Sequence, residues 1–240
     1  MTRIAIIGGG PAGYEAALVA AQLGAEVTLV DRDGVGGMCV LADCVPSKTF
    51  IATSEAMTNL SHADRVGVHG DGTVSVRVEE VYARVKALAL AQSGDITSSL
   101  VRAGVSILNG PALLLPGRKV AVGSEVVAAD VVLLATGARP RVVAGAEPDG
   151  ERILDWRQLY DLHELPQHLV VVGSGVTGAE FASAYLAMGC QVTLVSSRER
   201  VLPSEDPDAA EQLQQVFVRR GMRVLRGRAA SVERTVDGVT

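Results

Sequence analysis

Cys39 and Cys44 stand with four residues between them, and Lys48 follows after Val45-Pro46-Ser47. Thiols at this spacing can carry two electrons by making and breaking an internal disulfide; they match neither a zinc half-site nor a secreted disulfide framework. Residues 46 to about 60 read as a helix. The second cysteine therefore lies at a helix N-terminus, whose dipole stabilises a thiolate. On these residues alone, two inert buried cysteines are an equal alternative. The histidines (His62, His69, His163 and His168) lie far from the pair and form no ligand pattern, so no metal site is expected. Cys190, directly after Gly189 at the start of an apolar run, reads as a small core residue.

Two glycine-rich turns offer a second kind of chemistry. Gly8-Gly9-Gly10-Pro11-Ala12-Gly13 follows an apolar strand at residues 4–7 and opens an Ala-rich helix. In such a turn the first glycine, Gly8, permits the tight bend, and Gly10 lets the backbone approach a pyrophosphate. Gly13 lets helix pack closely on strand, and Pro11 and Ala12 begin the helix whose free N–H groups meet the phosphate. Asp31 closes the next strand, where a carboxylate can accept hydrogen bonds from an adenosine ribose. The same pattern returns at Gly173-Ser174-Gly175-Val176-Thr177-Gly178, with Glu180 two residues on. From Gly8 to Gly173 the offset is 165, and it holds without a gap through Gly24/Gly189 to Val30/Val195. Each copy reads strand, glycine turn, helix, glycine cap, strand, the βαβ unit. In the second copy the strand ends at Ser196 with no acid for a ribose 2′-OH, and Arg198 and Arg200 lie within reach of a 2′-phosphate. This predicts that NADPH is accepted at least as well as NADH.

The remaining elements must hold these turns in place. Residues 78–103 read as a long helix closed by Gly104, and residues 105–108, 119–122 and 126–134 as short strands. Hydrophobic residues make up 48% and aromatic residues 3% of the 240-residue chain, which predicts an aliphatic core and a sheet buried on both faces. The fold class expected is α/β: two Rossmann-like domains, each with a mostly parallel sheet in three layers, the second incomplete. Their expected bounds are 1–145, a linker over 146–166, and 167–240. A net charge of −5 without a basic run argues against nucleic acid. Neither a signal peptide nor an apolar run long enough to span a membrane is present, which predicts a cytoplasmic protein.

The order of GxGxxG, acidic strand end, GGMCVLADCVPSK, ATG and a second GxGxxG resembles the FAD-dependent pyridine nucleotide–disulfide oxidoreductases, lipoamide dehydrogenase and glutathione reductase among them. The resemblance covers essentially the whole chain. It implies FAD on the first domain, with Gly36 and Gly37 beside it, and NADPH or NADH on the second, where Val176 and Glu180 border the nicotinamide and flavin rings. It also implies that Cys44 faces the flavin as a charge-transfer thiolate, and that Cys39 attacks a substrate disulfide. Lys48 would lie beside the isoalloxazine near Glu180. Ala135-Thr136-Gly137 would lie against FAD, and Gly110-Pro111-Ala112 would contact its adenine end.

The chain departs from the dithiol members in reading MCVLADC for TCLNVGC. A carboxylate at Asp43, beside Cys44, opposes thiolate formation. The stretch VLADCVPSKTFIATSEAM is most similar to an actinobacterial branch, lipoamide-dehydrogenase-like or NAD(P)H–quinone dehydrogenase, in which electrons pass from flavin to a quinone. The expected function is thus NAD(P)H-dependent reduction of a quinone or a disulfide. One alternative is dihydrolipoamide dehydrogenase acting through Cys39–Cys44; another, of a different class, is an inactive dinucleotide-binding fragment. A flavin-free NAD dehydrogenase leaves residues 36–48 unexplained. Relatives are about twice as long by this resemblance, so the acid–base residue is expected beyond Thr240, a homodimer is expected of the full-length enzyme, and full turnover is not expected of these residues alone.

Overall fold

The computed structural model describes every residue except Asp71, Thr73 and Asp237. Two compact units interleave along the chain: Met1–Pro46 with Lys86–Arg139, and Ser47–Val85 with Pro140–Thr240.

In the first unit β1 (Arg3–Ile7), β2 (Glu26–Asp31), β3 (Ser106–Asn109) and β7 (Val131–Leu134) form a sheet of order β3-β2-β1-β7, parallel throughout. This is the first part of the doubly wound strand order, with its crevice at the strands' carboxyl ends. One face carries Ile6, Val27 and Leu29 against α1 (Pro11–Gln22) and the later turns of α4 (Val78–Arg102), through Ala17, Ile96 and Leu100. The other carries Ala5 and Val30 against an antiparallel meander of β4 (Ala112–Leu115), β5 (Lys119–Val122) and β6 (Glu125–Ala128), through Val120 and Val122. Both faces are covered and aliphatic, as the composition predicts.

The expected single strand over 126–134 is two strands in different sheets. Between β6 and β7 lies Asp130, whose backbone N–H donates to the Arg3 carbonyl and whose carboxylate accepts from the Arg3 backbone N–H at 2.9 Å. That clamp turns the chain out of the antiparallel meander and starts it parallel to β1. Strand β4 has no counterpart among the strands expected from the sequence. The cysteine-bearing helix starts earlier than expected, as α3 (Cys44–Ser61), because Pro46 falls in its first turn, where no N–H is needed.

The second unit repeats the first βαβ in detail. Strands β8 (His168–Val172) and β9 (Gln191–Ser196) flank α5 (Val176–Ala187). Ile4 pairs with Val27 in one copy and Leu169 with Val192 in the other, the same register at the same offset. Strand β10 (Arg223–Arg226) adds beside β9, and α6 (Pro207–Arg219) precedes it. Here the aliphatic expectation fails: Phe50, Tyr82, Tyr160, Phe181 and Tyr185 gather in one core, with ring centroids 5.3 to 6.2 Å apart in the pairs that touch. A low aromatic fraction left open that these few rings would be concentrated. Their packing draws most of α3 and the first turns of α4 into this unit.

Candidate functional site

The first glycine turn is built by close backbone contact. Gly8 adopts φ +108°, and a Cβ there would meet the Ala135 carbonyl oxygen at 2.2 Å. At Gly13 a Cβ would meet the Gly8 carbonyl oxygen at 1.8 Å. Gly10 differs. It caps α1 with extended backbone and no side-chain cap, and a Cβ there would meet only the Gly37 Cα at 3.9 Å. Helix α6, by contrast, is capped by Asp206, which accepts from the Asp208 and Ala209 N–H groups. An uncapped helix start behind an open glycine is the anion-binding form of this turn.

Asp31 is drawn into the same structure. Its Oδ2 accepts from the Gly9 N–H at 2.6 Å, and its Oδ1 from the N–H groups of Asp33 and Gly34 at 2.8 and 2.7 Å. A carboxylate has about four acceptor positions, so one remains for a sugar hydroxyl. These bonds use backbone N–H groups and leave no mark in the sequence. The Gly110 N–H donates to the Asp31 carbonyl at 2.9 Å, which brings Pro111 and Ala112 alongside the strand end. The Ala135 N–H donates to the Ile7 carbonyl at 2.8 Å, which sets Thr136 and Gly137 beyond the end of β7. Gly36 and Gly37 lie against the turn: the Gly36 N–H donates to the Gly9 carbonyl, and a Cβ on Gly37 would come within 2.7 Å of the Gly10 Cα.

That contact fixes the short helix α2 (Gly37–Leu41), which carries Cys39; Cys44 opens α3. Both thiols are free, Cys39 half-buried and Cys44 exposed. Burial, then the neighbouring Cys44 and finally Asp43 hold the Cys39 thiol above the usual thiol range. The Cys39 thiolate is therefore scarcer at a given pH than that of a free thiol. Its alkylation by iodoacetamide is expected to keep accelerating beyond the pH at which a free thiol levels off. Fragment-ion mass spectrometry resolving Cys39 from Cys44 checks this; a plateau at neutral pH would contradict it.

In the second unit Lys48 Nζ lies 2.6 Å from Glu180 Oε1. Phe50 on α3 packs against Phe181 and Tyr185 on α5, so the aromatic core holds the two charged residues in register. The second glycine turn repeats the first: a Cβ on Gly178 would meet the Gly173 carbonyl oxygen at 1.9 Å, while Gly175 has open space around it. No side chain caps α5. Val176 is exposed and Thr177 half-buried at its start.

The two strand ends diverge. At the place of Asp31 the second unit has Ser196, and at the place of Gly9 it has Ser174; their hydroxyls meet at 2.7 Å, and both residues are buried. The Ser196 hydroxyl also contacts the Arg198 carbonyl at 3.0 Å and the Arg198 N–H at 3.2 Å. Ser196 thus shapes the turn that presents Arg198, with its hydroxyl engaged within the chain. Arg198 is exposed, and Arg200 half-buried. Ser174 was not singled out from the sequence; the offset that aligns it with Gly9 was the available signal.

Among the described residues no helix is long and apolar enough to cross a membrane, and no three metal-ligating side chains gather.

The sequence pattern of the pyridine nucleotide-disulphide oxidoreductases matches residues 2–239. An NAD(P)H dehydrogenase (quinone) of Mycobacterium tuberculosis is 52% identical over all of this chain, which spans 52% of that relative. A dihydrolipoyl dehydrogenase of Bacillus subtilis is 35% identical over 92% of this chain and 49% of its own length. The crystal structure of LpdA from Mycobacterium tuberculosis superposes with a TM-score of 0.93 at 51% identity, covering all of this chain and 54% of that one. The chain spans about half the length of the curated relatives it matches. With twin glycine turns in register and a paired-cysteine segment packed against the first of them, it belongs to the pyridine nucleotide-disulphide oxidoreductase family.

Proposed function

We propose that this chain supplies the nucleotide-binding half of a flavoprotein that oxidises NADPH or NADH and passes the electrons to a quinone. When bound, FAD supplies the redox centre that takes up hydride and releases electrons to the acceptor. The observation that most supports this is the first turn: an uncapped α1 start behind Gly10, next to a carboxylate with one free acceptor position. In this reading Gly8–Gly13 hold the FAD pyrophosphate and Asp31 its ribose. Ala112 would meet the adenine end, while Gly36, Gly37 and 135–137 wall the site. Residues 1–145 then serve the flavin and 167–240 the nicotinamide nucleotide, with 146–166 between. Gly173, Gly175, Val176, Thr177 and Gly178 hold the second pyrophosphate. Within the second unit, Glu180 holds the Lys48 ammonium in place.

A quinone is favoured over a disulfide by the 52% identical NAD(P)H dehydrogenase (quinone), and the raised Cys39 thiol slows the competing disulfide exchange. The dihydrolipoamide reading keeps one supporting observation: both cysteines are free, and Cys44 is exposed to a substrate disulfide. This reading carries with it a cytoplasmic homodimer.

The test is a visible spectrum of the chain after FAD addition and gel filtration, then anaerobic NADPH. A retained flavin spectrum that bleaches with NADPH is expected. Protein that elutes colourless would overturn the flavin reading. Bound flavin left oxidised by both NADPH and NADH would overturn the electron route.

A further inference from the structure

At corresponding strand ends the two units carry opposite chemistry. In the first, Asp31 stands in register with Asn109 on the neighbouring strand, an acid beside a neutral amide. In the second, Ser196 stands in register with Arg226, a neutral hydroxyl beside a cation. The Gly227 N–H donates to the Ser196 carbonyl at 2.8 Å, which ties the end of β10 to the turn that carries Arg198 and Arg200. Arg226 Nη2 lies 3.3 Å from Glu199 Oε1, with both side chains largely exposed at 71% and 82%. An exposed pair of that kind is held weakly, so a dianion can draw the guanidinium away from it.

We propose that Arg226 is a specificity-determining residue for 2′-phosphorylated adenine nucleotides, joining Arg198 at the end of β9, and that Glu199 opposes it. The inference rests on reading the second glycine turn as a nucleotide site. Guanidinium forks match phosphate oxygens, whereas a bare ribose 2′-OH gains little from them. In the absence of phosphate, Glu199 occupies Arg226. When a 2′-phosphate arrives, Arg226 exchanges one anion for another of higher charge, and Glu199 is left as a repulsive neighbour. Selectivity is therefore graded, with NADH still admitted because Glu199 offsets the cations.

Calorimetric titration of the 240-residue chain with adenosine 2′,5′-bisphosphate and with 5′-AMP tests this without flavin or turnover. Arg226→Ala is expected to weaken the bisphosphate about five- to tenfold and leave 5′-AMP unchanged. Arg226→Lys should retain part of the affinity, because charge survives while the fork is lost. Glu199→Gln is expected to tighten the bisphosphate about threefold. Equal effects of Arg226→Ala on both probes, or none on either, would overturn the assignment and leave the nucleotide site standing. Binding of neither probe by the unmodified chain would overturn both together.

Discussion

Replacing Gly10 with alanine is expected to weaken FAD binding at least about a hundredfold, roughly 2.7 kcal/mol, while the chain folds as before. The two halves of that expectation have separate physical sources. Gly10 has φ −70° and ψ −177°, extended backbone open to any residue. An added methyl would meet only the Gly37 Cα at 3.9 Å, an ordinary contact, so the fold has no reason to object. A pyrophosphate does, because the methyl stands where backbone must come close to phosphate oxygens, and the N-terminal N–H groups lose their anion. Gly13→Ala is expected to behave differently. Its Cβ would lie 1.8 Å from a carbonyl oxygen, and no side-chain rotation relieves a clash with backbone. Overpacking of that kind costs about 1–3 kcal/mol and sometimes more. Thermal melting and FAD fluorescence quenching on both variants separate the effects. If Gly10→Ala melts normally and still binds FAD tightly, the turn does not cradle the pyrophosphate.

The contrast between these glycines shows which features a sequence exposes and which it hides. Spacing alone placed both turns, their helices and the shared register, because a βαβ unit is local and its glycines sit at fixed offsets. The cysteine spacing was visible in the same way, but its role and that of Lys48 came only from the family resemblance. What stayed hidden depends on partners distant in the chain. The apolar run 126–134 carries no mark of its break, since the clamp that divides it is made by Arg3, 127 positions away from Asp130. The bonds from Asp31 to Gly9 and Gly34 were invisible because they use backbone N–H groups that every residue has. Ser196 read as a missing acid, although its hydroxyl organises the turn through Ser174. Arg226 drew no attention because only the β9–β10 register brings it beside Ser196. Likewise, nothing in the order of residues foretells that Phe50 and Tyr82 join the core of Phe181 and Tyr185.

In the complete flavoprotein proposed above, Cys44→Ser is expected to abolish the second half of disulfide reduction while quinone reduction by the flavin stays within about twofold, because only the former needs a resolving thiol. In the unmodified, reduced chain, the Cys39 thiolate attacks a small disulfide and one sulfur leaves as a thiol. The Cys44 thiolate then attacks the Cys39 sulfur, closing Cys39–Cys44 and expelling the second thiol. Two electrons move from the dithiol to the substrate, and two protons from the cysteines end on the released thiols. With serine at 44 the first exchange stands alone, so one thiol is released per chain and the other half of the disulfide stays on Cys39, seen as an added mass. Cys39→Ser should release no thiol by this route if Cys39 is the attacking group. A mixed adduct forming first on Cys44 would reverse the assignment, and the exposure of Cys44 beside half-buried Cys39 makes that comparison informative. Rate against pH carries the final distinction. Burial, Cys44 and Asp43 raise Cys39 together, so its thiolate is scarce at neutral pH and grows as pH climbs through the raised range. Disulfide exchange must follow that climb, whereas electron transfer to a quinone has no step that waits for Cys39 to ionise. A chain whose quinone reduction fell with Cys44→Ser as steeply as its disulfide reduction would instead place both acceptors behind the dithiol.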